Sequence, residues 1–108
     1  MSFHGNTCTA GEKQMPIGLL TLYISLPGCT SLKGKRSRLK PLLARLHREF
    51  NISAAEMDLH DSWQEAILAC AMVSNDQKHV HRSLQKISHW IETSWPDVTL
   101  LDEQVEII

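Results

Sequence analysis

Lys33, Lys35, Arg36, Arg38, Lys40, Arg45 and Arg48 crowd seven cations between positions 33 and 48, with Glu49 as their one acidic neighbour. Ammonium groups attract anions as point charges, and guanidinium groups match phosphate oxygens through paired donors. A short charge run is ordinarily a solvated helix face. The positions of these cations argue for more than that. Ser31 is a suitable helix N-cap, which puts Lys33, Lys35 and Arg36 in or near the first turn. There the helix dipole favours acids, and each misplaced cation costs about 0.3–1 kcal/mol. Gly34 stands where a capping box would carry glutamate. Cations beside free backbone N–H groups make an anion pocket, so a polyanion contact and a solvated face stand as the two readings.

A second helix adds Lys78, Arg82 and Lys86 at four-residue spacing, with no acid placed to relieve them. If both helices cover one side of a sheet, the two basic sets could merge into one surface. The acids lie mainly elsewhere: Glu56, Asp58, Asp61, Glu65, Asp102, Glu103 and Glu106 fall on strands or turns.

Sharper chemistries fail on spacing. Gly28 to Lys35 has one residue too many for a phosphate loop, and Arg36 stands where that motif needs a hydroxyl. His79 and His81 point about 200° apart on a helix and cannot share a metal through that spacing. Asp58 and His60 read as ordinary neighbours on a strand. Cys29, just before a helix among cations, is placed for a lowered thiol pKa, but no paired base accompanies it. Cys70 reads as core and Cys8 as part of a tail. Trp63 is read by default as a packing anchor, with a stacking surface as the alternative. No catalytic residue, metal site or cofactor is expected. A ligand-binding role would instead centre on the loop Gly28, Cys29, Thr30 and Ser31.

The elements that position these residues follow from apolar periodicity. Residues 1–14 have none and are expected to be a mobile tail before a single domain over 15–108. Ile17 to Leu26 alternates as a strand with Leu20, Leu22, Ile24 and Leu26 on one face. The next apolar stripe, Leu32, Leu39, Leu43, Leu46 and Phe50, predicts a helix that kinks at Pro41 and stops at Asn51. Strands are expected from Ile52 to His60 and from Gln64 to Val73, joined by a turn at Asp61-Ser62. Asp76 can cap a second helix with core residues Val80, Leu84, Ile87 and Ile91. Pro96 ends that helix, and Val98 to Ile108 supplies the last strand.

The order strand-helix-strand-strand-helix-strand predicts an α+β, ferredoxin-like βαββαβ sandwich, with two helices on one face of an antiparallel sheet. Ile67, Ala69, Ala71 and Val73 would make the other face too apolar to leave wet, so a homodimer through the sheet face or edge is expected. Tyr23 is the one aromatic that such a face could offer in the manner of an RNA-reading sheet, and the third strand has none. An acylphosphatase-type site is also absent, because no glycine-rich loop with a following arginine succeeds the first strand.

The 108 residues carry 11 basic and 12 acidic side chains, a net charge of −1, and 43% hydrophobic residues. That composition excludes wholesale disorder, and taken alone its total charge argues against nucleic acid. Three cysteines are too few for a disulfide scaffold and suggest a reducing compartment. No run is long enough for a membrane helix. Leu26-Pro27-Gly28-Cys29 imitates a lipoprotein box, but Pro27 and the upstream Glu12 argue against a signal peptide.

Ser31-Leu32-Lys33-Gly34-Lys35-Arg36, then Leu39-Lys40, Trp63-Gln64 with Ala66 and Leu68, and Val73-Ser74-Asn75-Asp76 resemble the YlxP-like family of small bacterial domains. The resemblance spans roughly residues 15–108. It implies a cytoplasmic protein of ferredoxin-like fold and unknown function. Relatives are often encoded beside genes of transcription elongation, translation initiation and ribosome maturation, which points to RNA or a ribosomal assembly as partner. Gly34 departs from the glutamate more usual in relatives and makes this helix start more positive. The function expected is a non-enzymatic RNA- or ribosome-associated factor. The alternative is a dimeric small-molecule or protein-interaction module.

Overall fold

Alternation along the chain builds the sheet first. In the computed structural model, which describes residues 16–57 and 62–108, β1 (Ile17–Ser25) buries Leu20, Leu22 and Ile24, and Leu26 follows them into the core. Burying each such side chain contributes roughly 1.5–3 kcal/mol. β1 pairs antiparallel with β3 (Glu65–Val73) on one side and β4 (Thr99–Ile107) on the other. β2 (Ser53–Met57) adds to β3, giving the order β2-β3-β1-β4. With α1 (Leu32–Phe50) and α2 (Gln77–Ser94) joining these strands, the chain has the ferredoxin-like α+β fold. The expected tail over 1–14 and the residues Asp58, His60 and Asp61 lie outside the described residues.

Both helices pack on the face of β1 that carries Leu20, Leu22 and Ile24. Gly18 lets α2 come close, because a Cβ there would overlap Val80 Cγ1 and stand 2.9 Å from Leu84 Cδ1. Val80, Leu84, Ile87 and Ile91 are buried as the periodicity predicts, below the cap formed by Asp76. The Asp76 carboxylate accepts from Lys78 N at 3.0 Å.

α1 is a single helix across Pro41, from the Ser31 cap to Asn51, whose left-handed φ of 52° ends it. Its buried stripe is Lys35, Leu39, Leu42 and Leu46, whereas Leu32 is 46% exposed and Leu43 and Phe50 are half-buried. Spacings of four, three and four residues bring those four side chains into one helical phase. Leu32 stands about 60° away from Lys35 at the helix start, beyond the sheet's cover. Within the described residues β2 starts at Ser53, one residue after the expected Ile52, and it turns Ala55 and Met57 to the open face while Ala54 packs against the core.

Candidate functional site

Helical phase divides the seven α1 cations into groups with different neighbours. Lys35 points inward and is 1% exposed. Its Nζ donates to Ser62 O at 3.0 Å and lies 3.6 Å from Glu56 Oε2. A lysine reaches such a site by threading its apolar stem through the core and meeting oxygens at the far end. Lys35 was expected among the phosphate contacts, but its ammonium is held inside the fold.

Arg38 and Arg45 turn toward α2. Arg38 grips the turn after that helix: Nε is 3.0 Å from Asp97 Oδ2, and Nη2 donates to Asp97 O at 2.6 Å. Nη1 also donates to Pro27 O at 2.8 Å, so one guanidinium ties the start of α1 to two loops. Arg45 lies over Trp90 and Trp95, 5.6 and 5.9 Å from the ring centroids, and pairs with Glu49 at 3.3 Å. Phe50 meets Trp90 edge-on at 5.7 Å and closes this seam. The seam was illegible in sequence because its members are distant, although all are long, flat or aromatic.

Lys33, Arg36 and Lys40 form the remaining group on the β2-side flank. They are exposed, and none has an ion-pair partner among the described residues. Arg36, Leu39, Lys40, Leu43 and Glu56 line one shallow hollow between α1 and β2. Arg48 is also exposed, but helical phase puts it about 120° from Arg36, away from that hollow.

Lys78, Arg82 and Lys86 are exposed as expected. Lys78 and Arg82 border a hollow with Asp76, His81 and Gln85, and Lys86 borders another with Phe50, Met72 and His79. The strand directions make α1 and α2 antiparallel, so Lys33 and Lys78 start at opposite ends of helices about 27 Å long. Lys33 and Arg36 therefore lie toward the C-terminal end of α2, away from Lys78 at its start.

The loop before α1 is closed largely by its own groups. Ser31 Oγ accepts from Gly34 N at 2.9 Å, Cys29 is buried with Sγ 3.4 Å from Ser31 O, and Gly28 adopts a φ of 78°. Thr30 is exposed. Cys70 lies in the core, where burial pushes its thiol up to about 12 and suppresses nucleophilic character at neutral pH. Among the described residues no cluster of three or more His, Cys, Asp or Glu could hold a metal, and no helix is long and apolar enough to cross a membrane.

Trp63 overturns the packing expectation, since it is 52% exposed. Its turn is fixed on both sides. Ser62 Oγ accepts from Gln64 N and Glu65 N, Ser62 O accepts from Lys35, and Gln64 O accepts from Leu26 N at 2.7 Å.

Three comparisons bear on identity. The chain is 35% identical over 68 residues to the uncharacterized protein YlxP of Bacillus subtilis (strain 168), covering 63% of this chain and 73% of that one. A crystal structure of a dimeric protein of unknown function and ferredoxin-like fold from Bacteroides fragilis superposes with a TM-score of 0.44 at 8% identity, over 86% of this chain and 94% of that one. Residues 17–105, which include the whole of α1 and its flank of cations, match the model of a family described as protein of unknown function (DUF503). The chain belongs to the DUF503 family.

Proposed function

We propose that this protein is a non-enzymatic accessory factor that binds RNA, or an RNA-rich assembly such as the ribosome, along the β2-side flank of α1. The observation that carries the reading is the separation of roles within one helix. Lys35, Arg38 and Arg45 hold the fold, whereas Lys33, Arg36 and Lys40 stay exposed and unpaired among the described residues. These three share an exposed ridge at spacings of three and four residues, where stability alone would favour acids in the first turn. The free thiols Cys29 and Cys70 suit the cytoplasm, where RNA assemblies reside. Binding through three phosphates makes log affinity fall with log salt at a slope of about −2 for single strands. Titrating a labelled RNA across a salt series measures that slope directly. A slope near zero would remove the reading.

The opposite face supports a second, compatible role, the joining of two copies. The sheet's described strands hold no Lys, Arg or His. Tyr23 faces Ile67, Thr21 faces Ala69, Leu19 faces Ala71 and Ile17 faces Val73, and β2 continues the rows with Met57, Ala55 and Ser53. The acids Asp102 and Glu106 lie along the β4 side of that face. Such a surface repels phosphate and offers an apolar centre. We propose that a second copy covers it about a two-fold axis parallel to the strands. That axis sets the acidic β4 side over the uncharged open face of β2, whereas an axis across the strands would oppose acid to acid.

A further inference from the structure

Trp63 is a large exposed side chain in the turn that Lys35 of the cationic helix holds by its backbone. Its half-exposed indole follows Ser62, whose carbonyl is held by Lys35 Nζ at 3.0 Å. Lys35 sits in the same helical turn as Lys33 and Arg36, so this bond ties the Trp63 turn to the stretch of α1 that carries those charges. Leu26 N holds the other side of the turn through Gln64 O at 2.7 Å. Leu32, 46% exposed and in nearly the same phase as Arg36, extends the apolar ground beside them.

A large flat ring costs free energy when left in water, and nothing in the hydrogen bonding of this turn requires an indole at its tip. An aromatic face next to unpaired cations is the combination that takes unstacked nucleobases while the cations take the flanking phosphates. Duplex RNA offers the same phosphates but keeps its bases stacked and out of reach. Resting on the RNA reading above, we infer that the ligand is single-stranded RNA, with one base stacked on Trp63 and its neighbouring phosphates on Lys33 and Arg36.

The test uses the full chain and a labelled oligouridylate of roughly ten nucleotides, a length within the range such platforms cover. A duplex of equal length serves as the second probe. Wild type binds the single strand more tightly. Trp63→Ala weakens single-strand binding about ten-fold, the factor that about 1.4 kcal/mol of stacking corresponds to, and leaves duplex binding and the salt slope unchanged. Trp63→Tyr restores most of the loss, which separates stacking from a folding defect. Equal loss for both probes, or no loss for either, overturns this inference while leaving the RNA reading standing. A wild-type protein that binds neither probe overturns both. Loss of self-association in Trp63→Ala, with RNA affinity intact, assigns the indole to a protein contact and overturns the inference as well.

Discussion

Lys35 Nζ stands 3.0 Å from the carbonyl oxygen of Ser62, across 27 residues of sequence, at the end of a side chain that is 1% exposed. This bond joins the first turn of α1 to the turn that opens β3. The most conspicuous charge cluster in the sequence therefore contains a buried structural member.

Replacing that member separates its role from its neighbour's. Lys35→Met leaves the Ser62 carbonyl and Glu56 without the ammonium and is expected to destabilise the fold by about 1–3 kcal/mol. Lys33→Met, two residues away and exposed, is expected to stay within about 0.5 kcal/mol. Urea unfolding of both variants checks the contrast. Equal stabilities would show that the Lys35 contacts contribute nothing.

Arg38 makes the same point with partners in two loops. Its fork spans Asp97 and Pro27 O, a geometry that an ammonium cannot reproduce. Arg38→Lys is expected to lose about 1–2 kcal/mol, discounted for the partial exposure of Asp97. The salt slope of RNA binding should not change, because Arg38 already holds a carboxylate. A lower slope with unchanged stability would return Arg38 to the phosphate-binding set.

These two residues also show what was legible. The strand alternation of Leu20, Leu22 and Ile24, the α2 stripe, and the caps at Asp76 and Asn51 are local patterns, and local patterns determined the fold class. Lys35 carries a readable sign in its spacing: it falls four residues before Leu39 and seven before Leu42, on the apolar stripe itself. A charged residue type outweighed its phase, so Leu32 took its place in the expected core. Arg38 had no such sign, because Asp97 lies 59 residues away and only the folded chain brings them together. The basic flank was visible as composition, but the placement of Lys33 and Lys78 at opposite ends depends on the antiparallel helices.

The Cys70 thiol gives a pH dependence with a definite sign. Its pKa rises from 9.0 to about 12 on burial, so between those values the folded protein holds a proton that the unfolded chain has lost. This contribution is fully present below about pH 9 and declines above it, by at most about 1.4 kcal/mol per pH unit. Unfolding of wild type and Cys70→Ala at pH 8 and pH 10 should show wild type losing more stability across the interval. Parallel losses would contradict it. Thiol-specific reagents should modify native Cys70 only after unfolding.

The sheet face predicts an oligomeric state. Ala69 lies between Thr21 and Ala55 in the middle of the open face, where a large charged side chain has room in the monomer but not between two sheets. Sedimentation equilibrium is expected to find a dimer for wild type and a monomer for Ala69→Arg, with the circular dichroism unchanged. A monomeric wild type would end the second-copy reading.

The central claim is that one flank of α1, and not the basic surface as a whole, carries the phosphate contacts. Its most direct test compares two triple variants of equal charge change, Lys33→Gln/Arg36→Gln/Lys40→Gln and Lys78→Gln/Arg82→Gln/Lys86→Gln, in RNA titrations across a salt series. The account predicts that the first falls from a slope of about −2 toward zero and that the second keeps the wild-type slope. Equal losses in the two variants, or a loss only in the second, would contradict it.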